Sequence, residues 1–146
     1  MKRKKILFVC TGNTCRSPMA EAILKSYIKK RKIKWWDVSS CGINAEINSP
    51  ISENSKVALA EIGITVSDFK PRQLTQKKIE NSEVVITMTS SQKQLLEGCG
   101  NVVSVKDLCG FDVPDPYGGS LDTYLTTRRA LEIACNIIIE KYILNN

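Results

Sequence analysis

The chain has 146 residues, of which 42% are hydrophobic and 25% are charged, with a net charge of +6 and no histidine. These values exclude disordered and fibrous proteins and predict one globular domain over residues 1–146. The apolar stretches are far shorter than the roughly 18 residues that span a membrane. The apolar run after the basic N-terminus is too short for a secretory signal, so we expect a cytoplasmic protein without membrane contact.

The absence of histidine narrows the possible chemistry. Ser-His, Cys-His and His-metal arrangements are excluded, so any general acid must be a carboxyl group, Cys, Lys or Tyr. The six cysteines are expected to be free thiols, because the chain is long enough to bury a core and carries no export signal. No Cys-x2-Cys pair is present to begin a zinc site, and we expect no metal and no other cofactor.

The first predicted elements are a strand, a loop and a helix. Lys5–Cys10 is the kind of short apolar run that forms a buried strand in parallel sheets. Ser17 as N-cap and Pro18 in the first turn predict a helix over about 18–30. Basic residues near the end of this helix indicate a solvated face, and we expect no nucleic-acid partner because stacking aromatics and recognition motifs are missing. These residues are Lys25, Lys29, Lys30, Arg31, Lys32 and Lys34.

The rest of the chain continues the alternation of strands and helices. The predicted elements are strands at 36–40, 83–88 and 101–105 and helices at about 51–63, 90–97 and 121–144. Four strands joined by helices predict an α/β fold with a four-stranded parallel doubly wound sheet, flanked by helices on both faces. Ligands of such sheets bind outside the carboxyl ends of the strands, and Cys10 lies at one of these ends.

The loop from Cys10 to Ser17 contains a Cys-x5-Arg spacing, which alone is a weak signal. A loop between a strand and a helix aims backbone N–H groups at one point, and the helix N-terminus favours an anion there. Gly12 is predicted to permit the turn, and Asn13 tolerates left-handed geometry. The loop therefore predicts a phosphate site, whereas a nucleotide P-loop is excluded because its motif is absent.

Cys10 and Arg16 have distinct predicted roles in this loop. The helix dipole and the Arg16 charge favour a Cys10 thiolate, which is a nucleophile at neutral pH. The planar guanidinium of Arg16 can hold two phosphoryl oxygens, and the Ser17 hydroxyl can hydrogen-bond to the sulfur. The alternative interpretation is structural, with Cys10 buried at the end of a strand, Arg16 on the helix surface and Ser17 only a cap.

A second motif, Asp115-Pro-Tyr117, completes a resemblance. Together with Cys10-x5-Arg16-Ser17 it resembles the low-molecular-weight protein tyrosine phosphatase family, and the likeness covers nearly the whole chain. The resemblance implies a monomeric hydrolase of phosphorylated protein side chains that works through a phosphocysteine. Cys10 would be the nucleophile, Arg16 the phosphate clamp and Asp115 the general acid, whereas Asp112 is a nearby competitor for the acid role.

The same resemblance assigns supporting residues. Tyr117 would wall the substrate pocket, Ser40 would support Asn13, and Cys15 would form a reversible disulfide with Cys10 under peroxide. The residues expected to bind phosphate or substrate are Thr11, Gly12, Asn13, Thr14, Cys15, Ser17 and Tyr117.

Thr14 and the segment from Asp115 to Tyr124 look like the bacterial protein-arginine phosphatase branch of this family. A small hydroxyl at Thr14 could hydrogen-bond a guanidinium and leaves less apolar surface for a phenyl ring. We therefore expect phosphoarginine as substrate, with phosphotyrosine a close second.

Two other functions stay open at this point. A thioredoxin-coupled arsenate reductase has a similar anion loop and passes electrons through two further cysteines, for which Cys99 and Cys109 are candidates. A phosphocarrier of sugar transport also holds a phosphocysteine, but it needs a long-lived one, and an acid such as Asp115 argues against this.

Overall fold

The computed structural model describes residues 2–144 and contains the predicted four-stranded parallel sheet, with strand order β2-β1-β3-β4. The strands are β1 Lys4–Cys10, β2 Trp36–Gly42, β3 Val84–Thr87 and β4 Val102–Ser104. The helices are α1 Arg16–Lys30, α2 Glu53–Glu61, α3 Gln76–Glu80, α4 Ser90–Gln94, α5 Val105–Cys109 and α6 Leu121–Ile138, which continues as a π-helix over Ile139–Leu144. Within residues 2–144, none of these helices is long and apolar enough to cross a membrane.

Strand β1 is apolar and buried from Ile6 to Cys10, because helices or loops cover both faces of the sheet there. Ile6 and Phe8 point to the face on which α1 and α6 pack, and Leu7 and Val9 point to the opposite face. Pairing with β2 on one side and β3 on the other puts β1 in the middle of the sheet. Its carboxyl end, Cys10, therefore lies at the centre of the edge where ligands of parallel sheets bind.

Several predicted boundaries were wrong. The short helices α3 and α5 were missed, and each is capped by a hydroxyl side chain, Thr75 and Ser104. The final helix ends at Ile138 instead of continuing regularly to Leu144, because the chain widens into the π-helix. Helix α1 starts at Arg16, one residue before the proposed Ser17 cap.

A substitution on α6 can measure how much unfolding free energy is lost when a cavity is made in the core. Leu131 is 0% exposed in the core beneath the sheet, whereas Ile133 on the same helix is 54% exposed. Leu131→Ala should lower the free energy of unfolding by about 3 kcal/mol, since a buried leucine leaves a cavity that the fold only partly closes. Ile133→Ala should change it by less than about 0.5 kcal/mol. Urea denaturation followed by circular dichroism measures both, and equal losses would contradict this packing.

Candidate active site

The loop between β1 and α1 forms the floor of a cavity of about 270 Å³. The cavity is lined by Cys10, Thr11, Gly12, Thr14, Cys15, Arg16, Asn44, Glu46, Asp115 and Tyr117. Three segments that are far apart in sequence meet here: the loop after β1, the loop after β2, and the segment that precedes α6. Three of the predicted residues, Asn13, Ser17 and Ser40, are fully buried behind the cavity wall.

The Cys10 sulfur is surrounded by hydrogen-bond donors. Its Sγ lies 2.8 Å from Ser17 Oγ and accepts the Asn13 backbone N–H at 3.3 Å. The residue is 3% exposed, so only the cavity gives access to the sulfur. Donors directed at a buried sulfur stabilise its anionic form, which is the nucleophilic one.

A chain of hydrogen bonds connects this sulfur to a buried carboxylate. Ser40 Oγ donates to Glu21 Oε1 at 2.7 Å. Asn13 Nδ2 donates to Ser40 Oγ at 2.9 Å and to Ser17 Oγ at 2.8 Å. Both amide hydrogens are then used, and the Ser17 hydroxyl hydrogen is free to point at Cys10 Sγ. Ser17 was predicted as the helix cap, but its hydroxyl belongs to this chain of hydrogen bonds instead. Cys15 occupies the N-cap position without a side-chain capping bond.

Glu21 is held by two cations from different parts of the chain. Its carboxylate lies 2.7 Å from Lys25 Nζ and 2.8 Å from Arg72 Nη2. The Arg72 backbone N–H also donates to Asn13 Oδ1 at 2.9 Å, which fixes the orientation of the Asn13 amide. The segment around Arg72 therefore buttresses the loop from behind.

Asn13 and Gly12 differ in their backbone conformation. Asn13 has a φ of 59°, a left-handed conformation that asparagine tolerates. Gly12 does not have a positive φ, so this turn does not use the conformational freedom of glycine. A Cβ there would instead lie 3.3 Å from Glu46 Oε2, so the small residue leaves space for that carboxylate.

Arg16 links the cavity to the segment that carries Asp115. Its side chain is 6% exposed, Nη1 donates to the Val113 carbonyl at 3.0 Å, and Nη2 lies 3.8 Å from Asp115 Oδ2. Asp115 is 56% exposed at the cavity mouth, and its Oδ1 accepts the Tyr117 backbone N–H at 3.1 Å. Asp112 does not line the cavity, because its carboxylate accepts the Ser90 backbone N–H at 2.9 Å.

Five residues around the site were not predicted from the sequence as site residues: Glu21, Asn44, Glu46, Arg72 and Gln92. Gln92 Nε2 donates to Thr11 Oγ1 at 3.2 Å, while its Oε1 accepts the backbone N–H of Met88. Glu21 follows Ser17 by one helical turn, a spacing that puts both side chains on one face of α1. The other four come from three separate segments, with Asn44 and Glu46 sharing the loop after β2, and no local pattern marks them.

Comparison with known proteins assigns the chain to a family. The family model "Low molecular weight phosphotyrosine protein phosphatase" matches residues 5–143. The chain belongs to the low molecular weight phosphotyrosine protein phosphatase family. The resemblance indicated by the two motifs is thereby confirmed, and the protein is a hydrolase that acts on phosphorylated proteins.

Relatives within the family carry two kinds of name. A protein-arginine-phosphatase of Bacillus subtilis is 38% identical over 135 residues, which cover 87% of this chain and 89% of the relative. The low molecular weight protein-tyrosine-phosphatase PtpB of Staphylococcus aureus is 35% identical over 135 residues, covering 87% and 91%. A solved structure of a YwlE arginine phosphatase, a Cys-to-Ser mutant with a phosphorylated active site serine, matches with a TM-score of 0.88 at 34% identity, covering 95% of this chain and 97% of that chain.

Cys15, the second cysteine of the loop from Cys10 to Ser17, has a tyrosine neighbour. Cys15 Sγ lies 3.7 Å from the hydroxyl oxygen of Tyr124, which is buried. Burial, with a contribution from Cys15, raises the pKa of Tyr124 to about 12, so its hydroxyl is neutral at physiological pH. Cys10 and Cys15 are both free thiols here, and the disulfide between them stays a prediction.

The cysteines that an arsenate reductase would need are not arranged for electron transfer. Cys109 packs against the core on the α1 and α6 side of the sheet, whereas Cys99 packs against the opposite cluster. Neither residue lines the phosphatase cavity.

Among residues 2–144, no group of three or more Cys, Asp or Glu side chains is arranged to hold a metal ion.

The hydrogen-bonded chain behind the sulfur can be tested through Ser40. Ser40→Ala leaves one Asn13 N–H buried without a partner and removes one donor from Glu21, which should cost about 1–3 kcal/mol of unfolding free energy. Ser26→Ala, on the outer part of α1, should cost less than about 0.5 kcal/mol. Urea denaturation measures both variants, and equal stability of the Ser40 variant and the parent protein would refute the proposed chain.

Proposed function

We propose that this protein is a protein-arginine phosphatase that removes phosphate from phosphoarginine side chains through a phosphocysteine on Cys10. The observation that carries the proposal is the convergence of the Cys10 thiol, the Arg16 guanidinium and the Asp115 carboxyl group on one small cavity. A nucleophile, an anion clamp and an acid in one place are what the transfer of a phosphoryl group requires.

The first step transfers the phosphoryl group to the enzyme. The Cys10 thiolate attacks phosphorus, so an S–P bond forms as the P–N bond to the arginine side chain breaks. The protonated Asp115 carboxyl donates its proton to the departing guanidino nitrogen. Arg16 and the backbone N–H groups of the loop hold the equatorial phosphoryl oxygens, which gain negative charge in the transition state.

The second step regenerates the enzyme. Water attacks the phosphocysteine, its proton passes to the Asp115 carboxylate, and the S–P bond breaks to release inorganic phosphate and the Cys10 thiolate. The hydrogen bonds from Asn13 and Ser17 favour the thiolate as a leaving group, as they favour it as a nucleophile. The phosphorylated serine of the related arginine phosphatase structure supports a covalent phosphoenzyme at this kind of site.

Two observations support phosphoarginine as the substrate. Thr14 presents a hydroxyl group at the cavity wall, and a hydroxyl can accept a hydrogen bond from a guanidino N–H. The Bacillus subtilis relative carries the name of an arginine phosphatase. Phosphotyrosine is the second candidate, because Tyr117, which is 75% exposed at the cavity mouth, could stack on a phenyl ring.

The role of Asp115 predicts a specific kinetic defect. Asp115→Asn should lower kcat by about a hundredfold to ten-thousandfold, since the leaving nitrogen loses its proton donor. The inhibition constant of inorganic phosphate should not rise, because Arg16 and the loop still bind it and a negative charge has been removed. Asp112→Asn removes the same charge three residues away, where the side chain binds Ser90, and it should leave kcat near that of the parent. Steady-state kinetics measures both variants, and a normal kcat in Asp115→Asn would rule out the acid role.

The substrate assignment predicts a measurable preference. Matched peptides carrying phosphoarginine or phosphotyrosine should show the higher kcat/KM for phosphoarginine, and Cys10→Ser should hydrolyse neither. Thr14→Ile removes the hydroxyl and adds apolar surface, so it should shift the ratio towards phosphotyrosine by about tenfold. A parent protein that prefers phosphotyrosine would refute the arginine assignment, and turnover by Cys10→Ser would refute the phosphocysteine.

A further inference from the structure

Glu46 is a second carboxylate at the mouth of the phosphate cavity, on the loop that follows β2. Its Oε2 accepts a hydrogen bond from Thr14 Oγ1 at 3.4 Å, and its backbone N–H donates to the Gly12 carbonyl at 3.0 Å. A Cβ on Gly12 would be 3.3 Å from the same Oε2. The carboxylate therefore lies directly beside the loop that holds phosphate.

The backbone keeps Glu46 in this position. The loop after β2 is joined to the phosphate loop by successive hydrogen bonds, from the Ile43 N–H to the Cys10 carbonyl at 2.9 Å and from the Asn44 N–H to the Thr11 carbonyl at 2.9 Å. The Ala45 N–H donates to the side chain of Gln73 at 2.9 Å. Although the Glu46 side chain is exposed to the solvent, its Cα is thus anchored to the site.

A carboxylate in this position opposes the binding of phosphate. The charged residues that line the cavity are Arg16, Asp115 and Glu46, so two negative groups accompany one positive group. Asp115 is explained as the acid, but Glu46 has no part in the transfer of the phosphoryl group. Like charges this close repel a phosphorylated substrate unless that substrate brings a positive charge of its own to the same place.

We propose that Glu46 is a specificity residue that binds the unphosphorylated part of the guanidino group of phosphoarginine. The inference rests on the proposed function and deepens it. The Glu46 carboxylate accepts N–H hydrogen bonds from the two nitrogens that do not carry phosphate. Because the Thr14 hydroxyl donates to Glu46, the lone pairs of its oxygen remain available to the same guanidino group. A phenyl ring offers neither an N–H group nor a positive charge, so Glu46 discriminates against phosphotyrosine.

The decisive variant is Glu46→Gln, which keeps the size of the side chain and removes its charge. The KM for a phosphoarginine peptide should rise about tenfold or more with little change in kcat, because a contact made equally in the ground and transition states is lost. The kcat/KM for the matched phosphotyrosine peptide should stay the same or rise. The inhibition constant of inorganic phosphate should fall, since a repulsive charge has gone. Glu53→Gln, at the exposed start of α2 and away from the cavity, should change none of these values.

The outcomes separate this role from the alternatives. A loss of similar size on both peptides means that Glu46 only supports the loop, and this overturns the specificity role. An unchanged KM for phosphoarginine, in a parent protein that prefers phosphoarginine, also overturns it but leaves the proposed function intact. A failure of the proposed function would appear in the parent protein itself, as a preference for phosphotyrosine before any variant is compared.

Discussion

The active site depends on one buried carboxylate that can only accept hydrogen bonds. Glu21 obliges Ser40 to donate towards it, and Ser40 must then accept from the Asn13 amide. The second amide hydrogen of Asn13 is donated to Ser17 Oγ. The hydroxyl hydrogen of Ser17 is therefore available to the Cys10 sulfur. A charge on α1, paired with Lys25 and Arg72 outside the cavity, thus sets the direction of the side-chain hydrogen bonds that lead to the Cys10 sulfur.

The topology of the sheet explains why so few residues can build this site. Parallel strands end at one edge, and β1 lies in the middle of the sheet, so the loops after its neighbours fall beside its own loop. The loop after β2 contributes Glu46, and helix α4, which follows β3, contributes Gln92, which contacts Thr11. The chain needs only short connections to surround Cys10 with side chains from distant parts of the sequence.

The sequence predicted the features that depend on neighbouring residues or on a specific motif. The strand and helix around Cys10 follow from an apolar run and a proline, and Asp115 was singled out through its Asp-Pro-Tyr motif. The misassigned or missed features depend on contacts that no local sequence pattern shows. Serine is a common helix cap, but the Ser17 hydroxyl instead accepts from the Asn13 amide and faces the Cys10 sulfur. Glu46 stands in an ordinary polar loop, and only the pairing of that loop with the phosphate loop brings it to the cavity.

The bond from Arg16 to the Val113 carbonyl has a consequence for how the two signature motifs can change over time. The same guanidinium that lines the cavity also anchors the backbone two residues before Asp115. In the proposed mechanism, replacing Arg16 would weaken phosphate binding and displace the acid together, so the penalties of substitutions at these two positions should overlap and not add. The loop from Cys10 to Ser17 and the Asp115 segment are therefore coupled, although most of the chain separates them. A substitution in one changes the effect of a substitution in the other.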